Sequence, residues 1–291
     1  MEQLLQWAVN NSDNEELQKQ AEAVRRGELK PDPSKFDPKI IEAILGKDDA
    51  TRMKEAVECI ANTEDTLENR EIALDNLELL IEGIDNANNI EAMNLWPALL
   101  GQLTAPEPEI RKGVAWVCGT AVQNNPKAQT AFISHKGLDA LLDLLKTEQD
   151  KQVKGKLIYA LSGVLKHSPP AIDAFLDKNG LPVLLDILKL ADDPAMLRKV
   201  VFMFNSLMID NAKFGEALLK TDIWEYLNNV LDKYPEDEDM AEKVLRTAHT
   251  LLKQANGNVP ADFKTRAKKA ADTFGKEHLG LVDEEWKELL A

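Results

Sequence analysis

Apolar positions recur with a helical period along most of this 291-residue chain. Leu and Ala dominate these positions, and both residues favour helix. Val, Ile and Thr do not gather into alternating runs bounded by short turn sequences, which is the pattern that strands require. The sequence therefore predicts an all-α fold.

The helical pattern repeats itself. Residues 137–146 match residues 180–189 at seven of ten positions, with an offset of 43 residues. The segment 223–231 lies one further period along, and 95–103 is the corresponding copy on the N-terminal side. An internal repeat of this length is the sequence signature of a solenoid. We therefore expect about four repeats.

Each repeat contains three predicted helices. In the best-defined copy these are a short helix over 127–134, a second that begins at Gly137, and a longer third over 151–166. The third is expected to stop at Pro169 and Pro170, since proline breaks a helix interior. Three helices per repeat indicate an armadillo-like, right-handed superhelical solenoid whose third helices line a concave face.

Both ends of the chain differ from the repeats. At the C-terminus, Trp286, Leu289 and Leu290 follow an acidic first turn at helical spacing, which predicts a capping helix. At the N-terminus, a short apolar stretch precedes three prolines between Pro31 and Pro38, which forbid a continuous helix there. The apolar stretch consists of Leu4, Leu5, Trp7 and Val9. We expect a flexible segment and linker over 1–38 and a solenoid domain over 39–291.

Composition narrows the possible partners. The formal net charge of −15 disfavours nucleic acid and anionic membranes, which such a chain repels at long range. The chain shows neither a signal-peptide pattern nor an apolar run long enough to span a membrane, so a cytoplasmic location is expected. Cys59 and Cys118 both fall among apolar helical positions and are expected to be buried free thiols.

Catalytic and metal-binding patterns are missing from the sequence. The four histidines share no metal-like spacing, the glycines form no phosphate-binding loop, and no Gly-x-Ser-x-Gly elbow occurs. We therefore expect neither enzymatic activity nor a bound cofactor or metal. A catalytic site hidden in the helical fold would need a cluster of His and carboxylate side chains, and the sequence suggests none.

Large rings occupy one equivalent position of successive third helices: Trp116, Tyr159 and Phe202. We expect them to pack in the core, because aromatic residues at helical spacing usually point inward; a groove position is the alternative. Importin-type armadillo proteins bind peptides with Trp and Asn four residues apart on these helices. Here the Asn position holds other residues, namely Thr120, Gly163 and Ser206. The sequence therefore lacks that peptide-binding ladder.

The third helices also begin with basic residues in an otherwise acidic chain. The set is Arg111, Lys112, Lys154, Lys156, Arg198, Lys199, Lys243 and Arg246. We call it the basic rim. It could meet an acidic partner surface and speed association, or it could be an ordinary solvated helix face, and the sequence leaves both interpretations open.

Three segments carry a family resemblance: residues 1–7, 75–90 and 119–125, of which 75–90 is the most specific. Together they are similar to the armadillo-type nucleotide exchange factors of Hsp70 chaperones, the fungal Fes and animal Hsp70-binding-protein kind. The resemblance covers nearly the whole chain, and the N-terminal segment fits the fungal branch best. It implies a co-chaperone whose concave face clasps one lobe of the nucleotide-binding domain of a cytosolic Hsp70, so that ADP leaves. We expect the chain to act as a monomer.

The resemblance also implies contact residues. On matching motifs, the contacts are Asp85, Asn86, Ala87, Asn88, Asn89, Asn124, Asn125, Arg198, Lys199 and Phe202. The alternative for the asparagines is helix capping. We favour capping for Asn124 and Asn125, and partner contact for Ala87 and its neighbours.

In the fungal family the N-terminal segment resembles a chaperone substrate and helps clients leave the substrate-binding domain of Hsp70. Leu4, Leu5, Trp7 and Val9 have the apolar character that an Hsp70 groove accepts. We favour a free segment over one docked on the end of the solenoid. The main alternative function for the whole chain is a general armadillo scaffold that binds peptides along its groove.

Overall fold

The computed structural model describes residues 14–28, 46–255 and 259–291. Within these ranges the chain forms 17 α-helices and two short 3₁₀ helices, with no strand, which confirms the all-α prediction. The chain divides into two compact units, residues 1–55 and 56–291. The predicted domain boundary at residues 38 and 39 lies outside the described residues and stays a prediction.

The first unit contains a helix that the sequence analysis did not predict. Helix α1 spans Asn14–Arg25, and an ion pair of 3.0 Å joins Glu22 to Arg26 just beyond its end. Such an i,i+4 pair supports a polar helix that has no strong apolar stripe. Helix α2 (Asp49–Ala61) begins in this unit. The apolar N-terminal stretch from Leu4 to Val9 and the proline linker lie outside the described residues.

The second unit contains the predicted repeats. Helix α3 (Leu67–Ile81) precedes them. The first helices are α4 (Ile84–Ala92), α7 (Pro126–Ser134), α10 (Pro169–Asp177) and α13 (Ala212–Leu219). The second helices are α5 (Trp96–Gly101), α8 (Gly137–Thr147), α11 (Gly180–Leu190) and α14 (Ile223–Lys233). The third helices are α6 (Pro108–Val122), α9 (Lys151–Leu165), α12 (Pro194–Asp210) and α15 (Glu238–Ala255).

The last helices close the C-terminal end of this unit. They are α16 (Ala261–Phe274) and α17 (Asp283–Leu290), and the two 3₁₀ helices are Gln102–Thr104 and Lys276–His278. Trp286 and Leu289 of α17 are buried, and three acidic residues occupy its first turn. The predicted capping helix is therefore present.

Helix starts explain the register of the repeats. Asp150 and Asp193 cap α9 and α12 by accepting backbone N–H bonds in the first turn. Pro169 opens α10, where its missing N–H costs nothing, and α9 already ends at Leu165. Pro169 and Pro170 thus start α10. They were expected to stop α9, but that helix ends before it reaches them.

The core is aliphatic with a few rings at repeated positions. The Phe132 ring lies against the start of α8, so a Cβ on Gly137 would come within 2.5 Å of it. Phe175 and Gly180 repeat this arrangement one period later, with an approach of 2.2 Å. In both repeats the glycine and the phenylalanine therefore form one packing unit, in which the glycine leaves room for the ring.

Burial of the two cysteines is unequal. Cys118 is fully buried in α6, and burial raises the pKa of its thiol to about 12. Cys59 is only half-buried, with Sγ 3.5 Å from an oxygen of Asp65, and burial again raises its pKa, assisted by Asp65. Both are free thiols; the expected burial is correct for Cys118 and too strong for Cys59.

Candidate partner-binding face

The third helices α6, α9, α12 and α15 each have a side that faces outward. We call these sides, together with the outward side of the preceding helix α3, the third-helix face. Trp116, Tyr159 and Phe202 are each the ninth residue of α6, α9 and α12, and they lie on this face. Trp116 and Tyr159 are half-buried, and Phe202 is 49% exposed. The expectation that these rings pack in the core is wrong, because the positions beside them on the same helices fill the core instead.

A lysine joins two of these rings. The Nζ of Lys156 lies 3.7 Å from the centroid of the Trp116 ring and 5.7 Å from that of Tyr159. At these distances the ring quadrupole attracts the ammonium group. Burial lowers the pKa of Lys156; the nearby Lys199 and Lys112 lower it further, whereas Glu78 opposes them.

Hydrogen bonds tie α3, α6 and α9 together beside this lysine. The Thr120 hydroxyl donates to Oε1 of Glu78 at 2.8 Å, and the Tyr159 hydroxyl donates to Oε1 of Gln123 at 3.0 Å. Thr120 holds the position at which importin-type armadillo proteins carry asparagine. Its hydroxyl is committed to a contact between helices, so this position does not present a free amide to a peptide.

The basic rim separates into two groups. Arg111 pairs with Glu148, Arg198 with Asp237 and Asp239, Lys243 with Asp239, and Arg246 with Glu285. These four cations are neutralised within the chain. The other four form no ion pair with any carboxylate of the described residues. They are Lys112, Lys154, Lys156 and Lys199.

The expected contact residues of helix α4 differ in accessibility. Asp85 is exposed, and Asn88 and Asn89 are half-buried. Ala87 is only 3% exposed, because its side of α4 faces the core. The expectation that Ala87 touches a partner is therefore corrected, and a bulky substitution there would test the packing of α4. Nδ2 of Asn86 donates to the Leu80 carbonyl at 2.9 Å and so caps the end of α3.

Asn124 and Asn125 follow the end of α6. Asn125 is 3% exposed; its Oδ1 accepts from the Ala128 N–H at 3.3 Å, and its Nδ2 lies 3.4 Å from the Ala121 carbonyl oxygen. It caps α7, as the alternative interpretation held, and its side chain is not open to a partner. Asn124 is exposed in the left-handed region at φ 51°, a conformation that asparagine tolerates.

The remaining expected contacts lie together on α12. Lys199 and Phe202 are exposed, and Arg198 is half-buried and held by its two aspartates. Ile209, two turns beyond Phe202 on the same side of the helix, is 64% exposed and was not anticipated. Its position seven residues after Phe202 is the signal that could have identified it.

No group of three or more His, Cys, Asp or Glu side chains among the described residues could hold a metal ion. Within the same ranges, no helix combines the length and apolar content needed to cross a membrane.

Two family models match this sequence. Residues 1–90 match the model described as nucleotide exchange factor Fes1, and residues 86–227 match the SIL1/FES1/HPBP1 C-terminal domain. Together the two matches run from the N-terminal stretch to the start of α14.

Curated relatives are fungal proteins described as Hsp70 nucleotide exchange factors. The sequence is 45% identical to the one from Schizosaccharomyces pombe, over 46% of this chain and 47% of the relative. It is 42% identical to the relative from Mycosarcoma maydis, over 56% of this chain and 43% of the relative. It is 40% identical to the relative from Coccidioides immitis, over 57% of this chain and 77% of the relative. The chain thus spans about half the length of the first two relatives.

Similar solved structures define the architecture. An engineered protein superposes with a TM-score of 0.64 at 18% identity, covering 82% of this chain and 94% of that one. A designed armadillo repeat protein, solved in complex with the peptide (KR)4, superposes with a TM-score of 0.62 at 15% identity, covering 81% and 96%. At such identities the likeness shows the fold alone, and it confirms the armadillo-like solenoid.

Proposed function

We propose that this chain, which belongs to the Fes1 family of Hsp70 nucleotide exchange factors, accelerates the release of ADP from a cytosolic Hsp70 by binding its nucleotide-binding domain. The observation that carries the proposal is the third-helix face. This face presents a half-exposed ring, Phe202, next to the unpaired Lys199 in a chain that otherwise neutralises much of its basic rim.

Binding energy alone suffices for this activity. If the third-helix face fits an open nucleotide-binding domain better than a closed one, binding shifts the domain towards the open state by that difference in affinity. ADP then dissociates and ATP takes its place. No bond is made or broken by a residue of this chain, so the activity requires no catalytic side chain and no cofactor.

An interface of this kind concentrates its energy in a few residues. Aromatic and basic side chains near the centre of an interface commonly dominate, and exposed rim charges contribute little. Phe202 offers apolar area, and Lys199 offers a charge that no carboxylate of the described residues neutralises. A general peptide-binding scaffold is the weaker candidate, because Thr120 and Glu78 bond to each other where a peptide-binding asparagine would stand.

Loss of exchange activity in a double variant tests this proposal. The native chain should accelerate the release of a fluorescent ADP analogue from Hsp70. We expect the acceleration by the Lys199→Ala/Phe202→Ala variant to be smaller by a factor of at least about ten. Both side chains are exposed, so the free energy of unfolding should hardly change.

The matched control is Lys189→Ala/Leu190→Ala. It removes the same kinds of side chain, a lysine and a large apolar residue that is 75% exposed, from helix α11. This control should retain full exchange activity. If the native chain does not accelerate the release of the ADP analogue from any cytosolic Hsp70, the exchange function is refuted. Peptide binding along the groove then becomes the leading account.

The apolar N-terminal stretch is proposed to assist client release by occupying the peptide groove of Hsp70. Its composition supports this, since an Hsp70 groove accepts short apolar segments. Replacing Leu4, Leu5 and Trp7 by serine should slow the release of a fluorescent client peptide about threefold or more while the release of ADP stays unchanged. Equal slowing of both releases would contradict a separate role for this segment.

A further inference from the structure

Lys156 is held by rings where a carboxylate would be the ordinary partner. Its Nζ lies 3.7 Å from the Trp116 centroid, and no ion pair links it to a described carboxylate. An ammonium group has three N–H donors, and a ring face engages only one side of it. The outward side of the charge therefore remains available for an anion.

The surroundings of Lys156 carry an excess of positive charge. Lys112 and Lys199 both act on it through space and lower its pKa, and Glu78, alone among the described carboxylates, acts in the opposite direction. Oε1 of Glu78 already accepts the Thr120 hydroxyl. Two ammonium groups and one carboxylate thus act on Lys156 in a chain whose net charge is −15.

The repeat supplies an internal comparison. Lys156, Lys199 and Lys243 are each the sixth residue of a third helix. Lys243 is neutralised by Asp239 on its own helix. Lys156 and Lys199 lie at the same position of α9 and α12, but neither has such a partner. The excess of positive charge is therefore located on these two helices, in the middle of the solenoid.

There is also space for a ligand beside these lysines. Gly155 precedes Lys156 on α9, and a Cβ built on it would meet nothing within 4 Å. Helix α9 packs along its length on α6 but touches α12 far less, and Phe202 is half exposed on the α12 side. A partner group can therefore approach Lys156 from the α12 side without displacing a side chain of α6.

We infer that Trp116, Lys156 and Tyr159 form a carboxylate-binding anchor, which receives Asp or Glu side chains from an acidic patch of the partner protein, with Lys112 and Lys199 on either side. This inference rests on the proposed function in that the partner is the Hsp70 nucleotide-binding domain. Rings that hold the ammonium in place reduce the side-chain entropy lost on binding, which makes this lysine a better anchor than a free one.

A protein carboxylate fits the site better than the phosphates of a nucleic acid. The unpaired cations of the basic rim are only four lysines, Lys112, Lys154, Lys156 and Lys199, whereas an extended polyanion would also meet the acidic remainder of the chain. One or two carboxylates on a folded partner need contact only these lysines.

Three variants of the full chain test the anchor. Lys156→Gln should weaken binding to the ADP-loaded nucleotide-binding domain about 30-fold, and Lys156→Arg, which keeps both the charge and the ring contact, should bind within about threefold of the native chain. Lys243→Gln removes the equivalent but paired lysine and should change the affinity less than about twofold. For Lys156→Gln the affinity should also depend less on salt between about 50 and about 300 mM.

A zero-length carbodiimide cross-link identifies the ligand group. Mass spectrometry should find Lys156 joined to an Asp or Glu of the nucleotide-binding domain, and the Lys243→Gln variant should give the same product. If the native chain and Lys156→Gln bind the domain equally, the anchor is refuted while the exchange function stands.

A separate probe distinguishes failure of the anchor from failure of the proposed function. If the native chain does not bind the Hsp70 domain at all, the exchange function fails, and the anchor is then judged with a poly-glutamate peptide. Weaker binding of the peptide to Lys156→Gln than to the native chain supports a carboxylate site. A variant that loses affinity only for single-stranded DNA, and not for the peptide, overturns it.

Discussion

Gly119→Ala is expected to lower the free energy of unfolding by about 2 kcal/mol, although alanine is a better helix former than glycine by about 1 kcal/mol. A Cβ at this position in α6 would lie 2.5 Å from two atoms of the Tyr159 ring and 3.1 Å from the Cα of Ala160. Helices α6 and α9 would have to separate to admit it. Urea unfolding at a fixed protein concentration measures the change.

The Tyr159 ring cannot easily move aside. Its hydroxyl donates to Gln123, and the Lys156 ammonium lies above its face. The matched control is Gly155→Ala, also within a third helix, where the new Cβ meets nothing within 4 Å. Gly155→Ala should stabilise the chain by about 0.5–1 kcal/mol. If both substitutions changed the free energy of unfolding in the same direction, the close approach of α6 and α9 would be contradicted.

Much of the fold could be predicted because the repeat constrains it at several levels. Helices α6, α9 and α12 begin 43 residues apart, as the matching of residues 137–146 with 180–189 indicates. Capping aspartates and first-turn prolines then fix the starts of the helices. Local signals and the long-range period agree, which is the condition under which prediction from sequence succeeds.

Burial within the repeat could not be predicted in the same way. The period shows that Trp116, Tyr159 and Phe202 are equivalent, but equivalence does not tell which side of the helix meets the core. Conversely, Ala87 lies among polar residues in the sequence and is nevertheless buried. In both cases the deciding contacts come from other helices, and one helix alone does not specify them.

The basic rim shows the same limit for charge. Arg111 and Arg198 look alike beside Lys112 and Lys199 in the sequence, but the first two are neutralised by carboxylates 37 and 39 residues further along the chain. Those carboxylates belong to the connections before the next third helix. Only the assembled solenoid shows which cations remain free for a partner.

Arg111→Ala is expected to lower the free energy of unfolding by about 3 kcal/mol, because it leaves a buried carboxylate without its cation. Arg111 binds Glu148 through two N–H···O bonds of 2.7 and 3.0 Å, and its third nitrogen donates to the Ala105 and Pro106 carbonyls at 2.8 Å each. Glu148 is only 5% exposed. Denaturant unfolding at neutral pH measures the loss, and Lys146→Ala, which breaks an exposed pair with Asp143, should cost less than about 0.5 kcal/mol.

The pH dependence of this loss identifies its electrostatic origin. Hydrogen bonds from Arg111 are the largest cause that holds the pKa of Glu148 below its ordinary value of 4.5, against the opposing effect of burial. A carboxyl group whose pKa is lowered by folding stabilises the folded chain above its unfolded pKa, and this stabilisation disappears as the pH falls through the folded value. The difference in stability between the native chain and Arg111→Ala should therefore be full at neutral pH and shrink below pH 4.5. A difference that stays constant into acid would mean that Arg111 stabilises the solenoid through its packing and its carbonyl contacts, with no contribution from the charge of Glu148.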